Sequence, residues 1–168
     1  NLLKITKFDA GTMIIEKRQE NLSDIMTDVE RHFAFRAGQE GKQIVLNGDV
    51  SLFFSCDRNW IAEAIDNLVK NALDHTESGD SIWVTWDRLP SAVRIAVRDN
   101  GSGIHPEDLH HIFKRFYRSR YSQDTQGIGL GLSLVKAMAE IHGGTVSVDS
   151  RLGEGTTFVL VFPIITKL

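Results

Sequence analysis

An α+β fold, a two-layer α/β sandwich in which three main helices cover a mixed, mostly antiparallel sheet, is predicted by three observations. Segments beginning near Asn21, Arg58 and Leu130 repeat apolar residues at helical spacing. Between and after them, short stretches alternate apolar and polar residues, among them Ile82/Val84/Trp86, Val93/Ile95/Val97 and Phe158/Leu160/Phe162. The two kinds of segment are interleaved over 168 residues of which 42% are hydrophobic, enough for one sizeable core and too few for two. One-sided helices and alternating strands bury their apolar faces against each other, which gives two layers.

Taken in order, Asp9-Ala10-Gly11 breaks a leader, and Met13 to Lys17 reads as a short strand. From Asn21, Leu22, Ile25, Met26, Val29 and Phe33 define the buried face of a first helix, with Gly38 and Gly41 where it should end. Short strands fit Gln43 to Leu46 and Ser51 to Ser55, before a second helix from about Arg58 to His75. Leu89-Pro90-Ser91 turns one alternating strand into the next. Pro106, well suited to a first helical turn, opens a short helix toward Phe113. Lys114 to Gln126 is polar and aperiodic and reads as a mobile loop. A third helix runs from about Leu130 to Ile141, Gly143-Gly144 stops it, and two strands close the chain.

The composition narrows the function. A formal charge of −3 and a pI near 6.1 supply no long-range attraction for nucleic acid or anionic lipid. Cys56, the single cysteine, cannot form an internal disulfide and fits a reducing compartment. No apolar run approaches the roughly 20 residues needed to span a bilayer, and Asn1-Leu2-Leu3-Lys4 is no signal peptide. The absence of an initiator methionine and the helical-looking start suggest a piece of something larger. Neither G-x-x-x-x-G-K-[ST] nor a strand-to-helix G-x-G-x-x-G is present, which sets aside the P-loop and Rossmann classes. Nothing supports a zinc protease or an α/β hydrolase, because H-E-x-x-H, paired cysteines and G-x-S-x-G are all missing.

Two features point to a nucleotide. On the second helix Ile61, Ile65, Leu68 and Ala72 form the core face, and Glu63, Asn67, Lys70, Asn71 and Asp74 the opposite one. Asparagine competes for backbone hydrogen bonds and is a mediocre helix former, yet two stand one turn apart. The stripe fits a solvated face with Asp66/Lys70 and Lys70/Asp74 ion pairs. Taken alone, that solvated face is the commoner reading; the stripe also fits an oxygen ligand for Mg²⁺, a hard cation that needs few protein donors besides phosphate. The second feature is a set of glycine clusters. Asp99-Asn100-Gly101-Ser102-Gly103 sets a carboxylate at a strand end, either as an Asx-type turn or as an acceptor for an exocyclic amine such as adenine's, with glycines that let a ligand approach the backbone. Gly127-Ile128-Gly129-Leu130-Gly131-Leu132 leads into the third helix and offers free N–H groups where the helix dipole favours phosphate. Gly153-Glu154-Gly155-Thr156 reads as hairpin chemistry.

In this order the motifs resemble those of the ATP-binding catalytic domain of bacterial sensor histidine kinases, within the ATPase group that includes gyrase, MutL and the heat-shock chaperones. Asn67 to Ala72 is similar to the N box and Asp99 to Ile104 to the first glycine box. Phe113 to Arg118 is similar to the F box and Gly127 to Leu132 to the next glycine box. The resemblance implies a Bergerat-type ATP-binding fold over residues 12–168, with an ATP lid at about 114–126. It also implies that residues 1–11 end an upstream dimerisation helix and linker. By the same resemblance ATP and Mg²⁺ are the ligands, with Asn71 on the metal and Asn67 assisting near the phosphates. Asp99 would accept from the adenine amine, His75 would stack on adenine, and Thr157 would take a water-mediated adenine contact. Gly101, Gly103, Ile104, Leu130 and Leu132 would line the nucleotide, with Gly127, Gly129 and Gly131 cradling phosphate. Lys70, Tyr117 and Arg118 would complete the site, Arg118 as a cation from the lid. Many relatives carry lysine where this chain has Asp74, so Arg115, Arg118 or Lys70 would supply that charge.

The gyrase-type ATPases place a glutamate base four residues before the metal-binding asparagine, and Asn67 occupies that position here. An amide cannot take a proton from water at neutral pH, so transfer is favoured over hydrolysis. None of His32, His75, His105, His110, His111 and His142 lies in the acceptor pattern His-[Glu/Asp]-x-x-[Thr/Asn]-Pro. The resemblance therefore implies that this chain presents ATP to a histidine on its own dimerisation domain, with a response regulator downstream, on the cytoplasmic side of a membrane-anchored parent. Direct membrane contact and nucleic acid are not expected. The alternatives are an anti-sigma-type serine kinase with the same pocket and a nucleotide-binding module without catalysis.

Overall fold

The computed structural model describes residues 14–114 and 131–164. A short ribbon comes first, β1 (Arg18–Asn21) paired antiparallel with β3 (Phe53–Cys56). Between them run α1 (Leu22–Glu40) and β2 (Gln43–Gly48). Then follow α2 (Arg58–Asp74), β4 (Ser81–Leu89), β5 (Ala92–Asp99), α3 (Gly131–Ile141), β6 (Thr145–Arg151) and β7 (Gly155–Pro163). The main sheet has the order β2-β4-β5-β7-β6, with β2 parallel to β4 and every other pair antiparallel. The mixed, mostly antiparallel α+β sandwich is thus the observed architecture.

Local chemistry explains the ends of the helices. The Asn21 side chain caps α1 by accepting from the Asp24 N–H at 3.0 Å. Gly41 ends that helix in the left-handed region at φ 69°, and the Lys42 N–H returns to the Ala37 carbonyl at 2.9 Å. Asp57 caps α2, and Gly143 at φ 75° follows α3.

Every second residue of the central strands points to the helices. Ile82, Val84, Trp86, Val93, Ile95, Val97, Phe158, Leu160 and Phe162 are buried there. They meet Ile25, Met26 and Val29 of α1, Ile61, Ile65, Leu68 and Leu73 of α2, and Leu134, Val135 and Met138 of α3 in one core. The opposite face is half open and mixed, with Trp83, Ala96, Val159 and Val161 among Arg94, Arg98 and Thr157, and the Arg98 guanidinium 4.3 Å over the Trp83 ring. Cys56 lies in the core, where burial pushes its thiol up to about 12 and leaves it inert.

Several expected boundaries move. The strand expected at 13–17 forms later, at Arg18–Asn21, because β3 is the pairing partner there; residues 14–17 are irregular, and the Glu16 N–H donates to the Asp57 carboxylate at 2.9 Å. The strand expected at 51–55 begins at Phe53. The stretch from Pro106 to Phe113 is a succession of turns closed by i→i+3 bonds, such as the Asp108 N–H to the His105 carbonyl, and is not a helix. The expected leader at 1–11 lies outside the described residues, as does the loop at 114–126 apart from Lys114. Among the described residues no helix is long and apolar enough to cross a membrane.

Candidate functional site

α2 and α3 run antiparallel and are tied at two levels. At one, the Asp57 N–H donates to Nε2 of the buried His142, 3.1 Å away, while His142 Nδ1 lies 2.8 Å from the Met138 carbonyl. The acceptor role of Nε2 puts the proton on Nδ1, and burial holds the imidazole below its ordinary range. At the other level, Asn67 meets Gly131. The Asn67 amide nitrogen donates back to the Glu63 carbonyl at 2.9 Å, which fixes the side chain. A Cβ on Gly131 would stand 3.0 Å from Asn67 Oδ1, so glycine lets the first residue of α3 close on the amide. One turn on, the half-buried Asn71 has no hydrogen-bond partner for its amide among the described residues.

The ion pairs around the stripe are partly those expected. Lys70 pairs with Asp74 at 2.9 Å. Asp66 pairs with His32 of α1, 3.0 Å away, instead of with Lys70. Burial raises the Asp66 carboxyl above its usual range, and the His32 bond offsets that only in part. A groove between α1 and α2 is lined by His32, Phe33, Glu63, Asp66, Asn67 and Lys70.

The loop after β5 is locked onto the end of α2. The His75 carbonyl accepts from the Ser102 N–H at 3.0 Å, and a Cβ on Gly101 would lie 2.1 Å from that same oxygen. Gly103, at φ 78°, leaves only 2.3 Å between a hypothetical Cβ and the Arg151 carbonyl. The Gly153 N–H reaches the Ser102 carbonyl at 2.9 Å, and the Ile104 N–H reaches Ser150 Oγ at 2.8 Å. Gly101 and Gly103 are thus required by protein backbone packed against them. A ligand's approach to the backbone, expected from the sequence, is not what excludes their side chains.

Asp99 closes β5 on the helix-facing side, only 4% exposed. Burial raises its carboxyl above the usual range, while the N–H groups of Gly101, at 2.9 Å, and Thr156 and the nearby His75 draw it back down. A buried carboxylate with remaining acceptor capacity suits an amine donor. Across the ladder Asp99 pairs with Thr156, whose hydroxyl lies 2.8 Å from Ser150 Oγ. Thr157 therefore points to the other face of the sheet, and the threonine beside Asp99 is Thr156. Gly155, at φ 123°, also belongs to this junction: a Cβ there would sit 2.0 Å from the Asp99 carbonyl. Sequence reasoning missed both, although the Gly-Glu-Gly-Thr turn was the available signal.

The structure thus joins Asn67 to Gly131, with Leu132 following on α3, and sets the His75 carbonyl against Gly101 with the His75 charge near Asp99, while Gly103 and Ile104 pack on Arg151 and Ser150. Tyr117, Arg118, Gly127, Gly129 and Leu130 lie outside the described residues.

Residues 56–166 match the sequence model of the family described as histidine kinase-, DNA gyrase B-, and HSP90-like ATPase. The sensor protein SrrB of Staphylococcus aureus (strain NCTC 8325 / PS 47) is 32% identical over 164 residues, covering 96% of this chain and 28% of that protein. The chain thus spans little more than a quarter of that relative's length. Among solved structures, the catalytic domain of histidine kinase ThkA superposes with a TM-score of 0.79 at 26% identity, over 89% of this chain and 98% of that one. Full-length ShkA, solved in complex with AMPPNP, superposes with a TM-score of 0.87 at 26% identity, over 99% of this chain and 35% of that one.

Proposed function

The chain belongs to the histidine kinase-, DNA gyrase B- and HSP90-like ATPase family, and from that premise we propose that it binds Mg-ATP and donates the γ-phosphate to a histidine outside this sequence. The acceptor would stand on the dimerisation domain of a two-component sensor kinase that serves a response regulator. Residues 1–11 would end that domain, and the whole would work on the cytoplasmic side. The observation that carries this reading is the contact of Asn67 with Gly131, which brings an amide-bearing helix face to the first residue of α3.

The residues present fit the ligands. Asn71, its amide uncommitted among the described residues, would hold Mg²⁺, and Asn67 would stand beside the phosphates. The ion, when bound, supplies charge neutralisation to the phosphates. Gly131, with Gly127 and Gly129 before it, would offer backbone N–H groups to the phosphates, and Lys70 and Arg118 would add positive charge. Asp99 would accept from the adenine amine, with Thr156 taking the neighbouring water contact in place of Thr157. His75, Ile104, Tyr117, Leu130 and Leu132 would bound the base and ribose. Asn67 supplies no base for water, and its amide nitrogen is already committed to Glu63, so the chain holds the nucleotide and leaves proton removal to the acceptor's own domain. The likeness to SrrB and ThkA favours a histidine acceptor over the serine of an anti-sigma-type kinase.

The test is phosphotransfer from Mg-ATP labelled at the γ-phosphate. The chain alone is expected to bind nucleotide and stay unlabelled, and the added dimerisation helices to become labelled, at a lower effective concentration than when tethered. The product should be labile in acid and stable in alkali, as a phosphoramidate is. Stable phosphoserine on a separate protein, or strong labelling of this chain by itself, would overturn the proposal.

A further inference from the structure

α2 carries two basic residues, Arg58 in its first turn and Lys70. Asn67, Lys70, Asn71 and Asp74 fall at i, i+3, i+4 and i+7, so they share one broad face, and Lys70 lines the α1–α2 groove together with Asn67. Its ammonium lies 2.9 Å from Asp74 Oδ2. The other Asp74 oxygen accepts from Arg36 Nη2 of α1 at 2.8 Å. Arg36 is held in turn, its Nε donating to Glu40 at 2.7 Å. Glu40 accepts from Lys42 at 2.7 Å, and Lys42 also donates to the Leu73 carbonyl at 2.6 Å.

The two pairs on Asp74 are unequal. Arg36 is one-third exposed and anchored from both sides, whereas the Lys70 side chain is 51% exposed and has Asp74 as its sole ion-pair partner among the described residues. An exposed i,i+4 pair opens easily; the anchored one does not. A carboxylate beside a triphosphate would repel it unless a fixed cation stays on the carboxylate after Lys70 has left.

We propose that Asp74 and Arg36 are positioning residues for the nucleotide: Asp74 parks the Lys70 ammonium on the amide-bearing face of α2, and Arg36 keeps Asp74 neutralised when Lys70 turns to the terminal phosphate of ATP. This rests on the nucleotide-binding reading above. The extra charge of ATP over ADP makes the ratio of their affinities the natural readout.

Dissociation constants for Mg-ATP and Mg-ADP, measured by calorimetry on the whole chain, test it. Lys70→Ala is expected to lower the ATP preference about two- to fivefold, the range of a half-exposed charge contact. Arg36→Ala should lower it similarly, because an uncompensated Asp74 retains Lys70 and repels phosphate, and Arg36→Lys should restore it. Asp74→Asn should widen the preference. Adding Arg36→Ala to Asp74→Asn should then change nothing further. A merely structural Arg36 would lower the melting temperature in both backgrounds and leave the ratio untouched. If the wild type binds ATP but Lys70→Ala keeps its preference, or if the Arg36→Ala effect persists with Asn at 74, the positioning proposal is overturned and the nucleotide reading stands. A wild type that binds neither nucleotide overturns both.

Discussion

Gly131→Ala should separate binding from stability. Gly131 opens α3 and has no positive φ, so alanine is conformationally permitted there. Alanine is the better helix former by about 0.8–1 kcal/mol in a helix interior, and by less in the first turn. Against that gain, the new methyl would stand 3.0 Å from Asn67 Oδ1 and 3.7 Å from Asn67 Cγ, and ordinary contact begins at 3.4 Å. The amide must retreat by a few tenths of an ångström, and its retreat strains the 2.9 Å bond to the Glu63 carbonyl. Losing one such bond costs about 0.5–1.5 kcal/mol. The two terms nearly cancel in the free protein, so the melting temperature should move by no more than a few degrees. Binding has no offsetting gain, because Asn67 is displaced and the methyl occupies the junction where the phosphates would lie. Affinity for Mg-ATP should fall about two- to tenfold, the same energy range read as a binding constant. Calorimetric titration beside thermal melting of both proteins decides it. Wild-type affinity in a normally folded Gly131→Ala would refute the reasoning, since the Asn67–Gly131 contact could not then border the phosphates.

Asn71→Ala should remove most of the Mg²⁺ dependence of ATP binding while the circular dichroism spectrum stays native; binding that keeps its dependence on the ion would exclude Asn71 as a ligand. Asp99→Asn can turn an NH₂ toward the adenine amine, and losing a charge-assisted bond of about 1.5–3 kcal/mol should weaken ADP roughly ten- to a hundredfold. Equal binding of ADP by the mutant, or equal competition by GDP with the wild type, would show that Asp99 does not read adenine. His142 has a folded pKa held below its ordinary 6.5 by burial. The unfolded chain therefore binds the extra proton first, and this contribution to stability is full above 6.5 and lost as pH falls through the folded value. Melting temperatures between pH 7.5 and 5 should drop less steeply for His142→Gln than for the wild type, and parallel slopes would remove His142 from the account.

Much of the scaffold was legible because it depends on local spacing. The apolar face of α2, the end of α1 at Gly41 and the β4–β5 hairpin follow from residues within a few positions of each other. The amide pair on α2 was legible as well, because a local helix cost without a local gain shows in the sequence. Its partner was not. Gly131 is 64 residues from Asn67, and only the antiparallel packing of α3 on α2 brings them together.

The errors have the same origin. Strand parity puts Thr156 beside Asp99 and turns Thr157 away, a one-residue difference that only the β5–β7 register decides. The sequence marks Gly101 and Gly103 as unusual, but the atoms that forbid their side chains are the carbonyls of His75 and Arg151, from other parts of the chain. Helical spacing offered Asp66 a partner in Lys70, and α1 supplied His32 from 34 positions away. By itself the sequence determined the three long helices and the strands of the main sheet, the faces they bury and where the unusual polar groups stand, because propensity and periodicity act over a few residues. The turns at 106–113 and the pairing of β1 with β3 were not legible there. The tertiary structure alone decided which backbone closes on each glycine and which charge meets each carboxylate, because those contacts form only when distant segments share one core.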